Sequence, residues 1–232
     1  MCTLVVLHRV HPEYPVVLAA NRDELFARQT EGPQILVDAP RVVGGRDVVA
    51  GGTWLGLTPS GFFVAVTNRA GAAPQPGLLS RGALVVELLR RGETESAEAW
   101  LRAQDPARYN PFNLMYGDAS GVRVAYARGE QLHTGDVPLG VHVLPNGRLD
   151  SPRFEKTANI QSLLAEPAPN WDGLARQLKS ALADDLVCVR TPFYGTRSAC
   201  LVALRPGGVA FYLHADGVPG VAPFEDHTWL LS

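Results

Sequence analysis

Cys2 is the residue best placed to do chemistry in this 232-residue chain. It follows the initiator methionine and precedes an apolar stretch, Thr3-Leu4-Val5-Val6-Leu7. A small residue at position two usually allows the methionine to be trimmed. The mature chain would then begin with a cysteine carrying both a thiol and a free α-amine. Their reference pKa values are roughly 8.5 and roughly 8. One residue would supply nucleophile and general base together. The plainer alternative is a small buried hydrophobe at the start of a strand. Reactivity requires exposure and a favourable electrostatic setting, which spacing alone does not give.

Other residues stand where side chains often act. Ala20-Asn21-Arg22-Asp23-Glu24 is the densest polar cluster and follows an apolar run, Val16–Ala20, at an expected strand-to-loop junction. Its plain reading is a solvated turn with Asp23 as a helix cap and a local ion pair. Asn68 closes the run Phe62–Thr67 and precedes a glycine-rich loop, so its amide can donate to a developing oxyanion or simply make a turn. Asn146, in Pro145-Asn146-Gly147, carries a stronger turn signal. Arg197, in Tyr194-Gly195-Thr196-Arg197-Ser198, stands at a strand start, where it can bind a carboxylate or phosphate. Gly51-Gly52-Thr53-Trp54-Leu55-Gly56 lets the backbone approach another segment closely and can wall a pocket. No Gly-Lys-Ser/Thr follows it, so it is not a phosphate-binding loop.

Several chemistries have no support. The six histidines lack zinc-site spacing, no serine sits in Gly-x-Ser-x-Gly, and no Gly-x-Gly-x-x-Gly is present. A net charge of −2 gives no electrostatic case for nucleic acid or an anionic membrane. Three cysteines, Cys2, Cys188 and Cys200, argue against a disulfide framework and for a reducing compartment. No signal peptide and no apolar run of ~20 residues is visible, which points to the cytoplasm.

The elements that must position these residues follow from periodicity. Strands are expected at Cys2–His8 and Val16–Ala20, then a hairpin over Thr53–Leu57 and Phe62–Thr67 around Thr58-Pro59-Ser60-Gly61. Residues 69 to 79 read as a loop. Leu84, Val85, Leu88 and Leu89 share a helix face, with Ser80 to cap and Gly92 to stop it. A short helix follows from Thr94 to about Ala103. Strands return at Phe112–Tyr116, Gly121–Ala127 and Gly140–Leu144. Ser151-Pro152 should open a helix reaching Leu164, and Leu174, Leu178 and Leu182 mark another. Ser198–Leu204 and Val209–His214 form a last hairpin, with Thr228–Leu231 as a final strand. Helix pairs set between groups of hairpins favour an α+β fold in one domain, residues 1 to 232.

Taken in order, Met1-Cys2, Ala19-Ala20-Asn21-Arg22-Asp23-Glu24, Gly51-Gly52-Thr53-Trp54-Leu55-Gly56, Thr67-Asn68, Phe112-Asn113-Leu114 and Tyr194-Gly195-Thr196-Arg197 closely resemble the NRDE family, which includes Transport and Golgi organisation protein 2 of animals. That family is similar to N-terminal-nucleophile hydrolases of the choloylglycine and penicillin V acylase type. The resemblance implies a four-layer αββα sandwich with two stacked antiparallel sheets. It implies Cys2 as nucleophile with its own α-amine as base, Asp23 as the aspartate that fixes the amine, and Asn68 as an oxyanion-hole asparagine. Asn146 matches a second polar asparagine and Arg197 a late arginine near the nucleophile. One departure stands out. The acylases carry Arg-Asn-x-Asp, whereas here Ala20 holds the arginine's place and Arg22 the variable one. Residues two apart in a strand share a face, so Arg22 can substitute from a shifted position.

Two functions are therefore expected as alternatives. The first is a cysteine amidohydrolase acting on linear amide C–N bonds through a thioester, needing neither cofactor nor metal. The second is a non-catalytic protein that uses the same cleft for a haem, lipid-like or acyl-CoA ligand. Cys2 would then be a soft axial iron ligand or simply line the pocket.

Overall fold

The computed structural model describes residues 2–71 and 73–232. Two antiparallel sheets form its centre. The first has six strands in the order β10-β1-β2-β11-β12-β13. These are β10 (Gly140–Leu144), β1 (Thr3–His8), β2 (Val16–Leu25), β11 (Tyr194–Arg205), β12 (Gly208–Asp216) and β13 (Glu225–Asp226). The second has seven strands in sequence order: β3 (Thr30–Asp38), β4 (Arg41–Asp47), β5 (Leu55–Leu57), β6 (Phe63–Asn68), β7 (Phe112–Asp118), β8 (Gly121–Arg128) and β9 (Gln131–Asp136).

Side-chain alternation along these strands creates three apolar layers. Leu4, Val6, Leu18, Cys200 and Val202 of the first sheet meet Leu55, Phe63, Met115 and Val124 of the second between the sheets. The opposite face of the first sheet, with Val5, Leu7, Val17, Ala19 and Leu201, packs on Ile160, Leu174, Leu178 and Leu182. Those residues belong to helices α3 (Glu155–Leu163) and α4 (Trp171–Ala183). The outer face of the second sheet, with Val64, Leu114 and Ala125, packs on Leu84, Leu88, Ala97 and Leu101 of α1 (Arg81–Leu89) and α2 (Thr94–Arg102). The result is the expected four-layer αββα sandwich.

The helix ends follow local chemistry. Ser80 Oγ accepts from the Ala83 amide at 3.2 Å, and Asn170 Oδ1 accepts from the Gly173 amide at 2.9 Å. α3 starts three residues later than Ser151-Pro152 predicts. Asp150 diverts the chain there: its φ is +55°, and its carboxylate accepts from the Val143 amide at 2.8 Å and from Gln161 at 3.0 Å. The expected final strand at Thr228–Leu231 is instead a 3-10 turn. Asp226 Oδ1 accepts from both the amide and the hydroxyl of Thr228, coiling the segment and burying Leu230 and Leu231 in the inter-sheet core.

Candidate functional site

The cluster at residues 21 to 24 lies inside a strand, not at the strand-to-loop junction that the sequence predicts. β2 continues to Leu25 because β11 pairs with it to the end, from Leu204↔Val16 to Tyr194↔Leu25. Alternation then divides the cluster between two layers. Asn21 and Asp23 face the helices. Asn21 Nδ2 donates to the Leu182 carbonyl at 2.8 Å, tying β2 to the end of α4. Arg22 faces the second sheet, and its guanidinium carbon lies 4.3 Å from the centre of the Trp54 ring.

Trp54 reaches that position because of two close approaches. A Cβ on Gly45 would lie 2.4 Å from the Trp54 ring. Gly52, at φ +80°, passes so near α1 that a Cβ would lie 2.0 Å from the Gly82 carbonyl carbon. The Gly-Gly-Thr-Trp stretch is thus a wall under Arg22. Between Arg22, Trp54, Ser198, Cys200 and His214 lies a space of about 10 Å³, scarcely room for one water. Arg22 is therefore seated rather than free to swing.

Strand register brings the remaining groups to one end of the sandwich. Thr3 pairs with Asn21, which sets Cys2 beside Arg22 and Asp23. The Cys2 thiol, half-buried, points at the Asp23 carbonyl with Sγ 3.9 Å from the oxygen. On the other side of β1, Leu4 pairs with Leu144, so Asn146 comes level with Cys2. Asn146 is buried and its Nδ2 donates to the Asn68 carbonyl at 2.6 Å. The Asn68 side chain is exposed. This asparagine link staples the first sheet to the second where β10 and β6 end.

Electrostatics at this corner are dominated by burial. Burial pushes the Cys2 thiol up, as does the nearby Asp23 charge, while Arg22 opposes both. Burial also raises the Asp23 carboxyl, and the Thr196 hydroxyl opposes this by donating to Asp23 Oδ1 at 2.6 Å. Burial lowers Arg22, whose charge is supported by Cys2 and by Glu24 at 3.7 Å. A thiol held neutral in this way needs a base to become a nucleophile.

Of the residues expected at the site, Cys2, Arg22, Asp23, Asn68 and Asn146 converge. Arg197 turns elsewhere. Its guanidinium donates to the carbonyls of Leu25, Phe26 and Arg28 at 2.7–3.3 Å, locking the turn between β2 and β3.

Four further residues reach the corner to which the sequence assigned no site role. Asn113 is fully buried and its Nδ2 donates to Thr67 Oγ1, the Pro145 carbonyl and the Gly147 carbonyl at 2.9–3.3 Å. The Tyr194 hydroxyl donates to the Asp23 carbonyl at 3.0 Å. Arg81, at the start of α1, is held by the Pro111 carbonyl, and its charge is favoured by Cys2 and Glu24. Lys156, on α3, donates to Thr3 Oγ1 at 2.7 Å. Only packing between distant elements brings these together. The sequence signals were Asn113 within Phe112-Asn113-Leu114 and Tyr194 within Tyr194-Gly195-Thr196-Arg197. Among the described residues, no group of three or more His, Cys, Asp and Glu side chains is arranged to hold a metal ion. No helix of the described chain is long and apolar enough to cross a membrane.

Comparison with known proteins agrees with this construction. Residues 1–191 match the family model described as Transport and Golgi organisation 2. A cattle (Bos taurus) protein, Transport and Golgi organization protein 2 homolog, is 27% identical over 233 residues, covering 84% of each chain. The mouse (Mus musculus) homolog is likewise 27% identical with 84% coverage of each. Two solved structures share the fold at 13% identity. One is a mutant of conjugated bile acid hydrolase from Clostridium perfringens, with a TM-score of 0.57, covering 98% of this chain and 92% of that one. The other is the Caenorhabditis elegans ortholog of N-acylethanolamine-hydrolyzing acid amidase, with a TM-score of 0.64, covering 89% and 93%.

Proposed function

Because the chain belongs to the Transport and Golgi organisation 2 family and is folded as the N-terminal-nucleophile hydrolases are, we propose that it is a cysteine amidohydrolase acting on linear amide C–N bonds. The observation that carries this reading is the seat of Cys2 at the head of β1, beside Asp23 and at the same end as Asn68 and Asn146.

Removal of Met1 frees the Cys2 α-amine. The amine takes the thiol proton as Sγ attacks the amide carbonyl carbon. Asp23 orients the amine and the Asn68 amide donates to the oxyanion. Arg22 favours the thiolate. As the tetrahedral intermediate collapses, the C–N bond breaks and the ammonium returns its proton to the departing amine. Water, deprotonated by the same α-amine, then cleaves the thioester and releases the acid. This cycle requires no cofactor.

Intact mass and turnover test the reading together. Protein from its native host should lack Met1. Wild type should hydrolyse members of a panel of bile acid conjugates and N-acylethanolamines, and Cys2→Ala should not. In the native fold, alkylation should fall on Cys2 alone, because Cys188 and Cys200 are buried and Cys200 is pushed up to about 12. Retention of Met1, with Cys2 no more reactive than a free thiol, would sink the proposal.

A second reading, ligand binding without bond cleavage, is favoured by Ala20 standing where the acylases carry an arginine. Haem titration tests its haem form, with lipid-like and acyl-CoA ligands left to separate binding assays. A haem-dependent absorbance change that Cys2→Ala lacks supports haem binding; no change in either protein overturns it.

A further inference from the structure

Lys156 and Lys179 are the only lysines among the chain's 21 Lys and Arg residues. Lys156 is buried, with 6% exposure, which is rare for an ammonium unless a partner justifies it. α3 brings it to the helix-facing side of β1 and β2. Its Nζ lies 2.7 Å from Thr3 Oγ1 and 3.5 Å from the Cys2 carbonyl oxygen. Given the covalent geometry of one residue, Nζ is within about 7 Å of the Cys2 α-nitrogen. Burial lowers the Lys156 ammonium below its ordinary value, and the charges of Asp23 and Cys2 oppose this by favouring the ammonium.

We propose that Lys156 is a positioning residue whose ammonium keeps Asp23 ionised and the α-amine of processed Cys2 neutral, and so ready to act as base. This rests on the amidohydrolase reading above. A carboxylate in a buried corner prefers to take up a proton unless a cation stands by it, and an adjacent cation disfavours a second positive charge on the amine. The nearby cation keeps the amine unprotonated beforehand, and the ionised Asp23 stabilises the positive charge that the amine takes up in the first proton transfer. The other charged groups at this corner sit differently. Arg22 and Glu24 come from β2, and Arg81 from α1. Arg22 faces the second sheet, over Trp54.

The pH dependence of turnover and of Cys2 alkylation by iodoacetamide, followed by mass spectrometry, tests this in wild type, Lys156→Met and Lys156→Arg. Lys156→Met should move the acid limb of both profiles up by about one unit. Lys156→Arg should restore the wild-type position. Lys156→Gln replaces the methionine variant if that does not fold. An active wild type whose profile Lys156→Met leaves in place overturns this inference alone, as does a shift of equal size in Lys156→Arg. Retention of Met1 with no turnover overturns the amidohydrolase reading itself.

Discussion

Thr196 Oγ1 donates to Asp23 Oδ1 at 2.6 Å and accepts from the Val189 amide at 2.9 Å. One hydroxyl therefore aims the carboxylate and holds the segment before β11. A bulge in the β2–β11 pairing, between Thr196 and Ser198, gives Thr196 this position opposite Asp23. Thr196→Val leaves both partners without it inside the protein and should cost about 2–3 kcal/mol. Thr196→Ser should cost less than 1 kcal/mol, within the roughly 0.5–1.5 kcal/mol of a minor core change. Denaturant unfolding of the two variants checks this; a loss in Thr196→Ser as large as or larger than that in Thr196→Val would show that the hydroxyl is not the dominant contribution.

Asn113 ties three backbone and side-chain acceptors around Pro145 and Gly147. Asn113→Leu should lower stability by about 2–4 kcal/mol and loosen Asn146 from the Asn68 carbonyl. For the variant that still folds, amide turnover should drop at least tenfold, by about 1.4 kcal/mol of barrier. Thermal melts and turnover at a temperature well below the melt separate the two effects. Turnover equal to wild type would remove Asn146 from the site.

The Gly51-Gly52 pair offers an internal control. Both glycines have positive φ, +71° and +80°, but only Gly52 meets another segment. Gly51→Ala should cost about 1–2 kcal/mol, the strain of a left-handed alanine. Gly52→Ala adds a clash with the Gly82 backbone and should cost more than about 3 kcal/mol. It should also quench or shift Trp54 fluorescence by moving the wall under Arg22. Equal melting temperatures for the two variants would contradict the close approach.

Stability should also fall in acid through His214. Burial and the neighbouring His227 ring, 6.0 Å away, push its imidazole down to about 4. The unfolded chain titrates near 6.5, so between those values the unfolded state binds more protons. Stability is therefore present above pH 6.5 and lost as pH falls, by about 3 kcal/mol at pH 4. His214→Phe should remove that part of the slope. Guanidinium unfolding at pH 7 and pH 4 measures it, and an unchanged difference would refute the assignment.

The α+β class was legible from local signals, whereas the four-layer arrangement and the grouping of the site residues followed from the resemblance of the ordered motifs to a known family. Apolar alternation located β1, β6, β7 and β11, and the caps at Ser80 and Gly92 framed α1. β3, β4 and β9 escaped for a physical reason. β3 and β9 are half-exposed sheet edges, with polar runs such as Gln131-Leu132-His133-Thr134-Gly135-Asp136 that bury little. The hairpin of β3 and β4 carries proline and paired glycines that read as loop. Cys2, Asp23, Asn68 and Asn146 were singled out through the resemblance, and the fold brings them to one end of the sandwich. Lys156 and Arg81 were not, because each arrives on a helix whose docking angle no local pattern encodes. Arg197 was expected near Cys2, yet the open carbonyls of the turn after β2 capture its guanidinium.

The division of β2 between two layers makes its motif intolerant of length change. Arg22 and Asp23 carry opposite charges to opposite faces of one sheet. Inserting or deleting a single residue upstream within β2 would send the cation toward Lys156 and the anion toward Trp54, reversing every local attraction at once. Substitutions in this strand can be absorbed one at a time, but its count cannot drift. Length variation among related chains should therefore collect in the turns on either side, at residues 9–15 and 26–29, and leave the strand between them untouched.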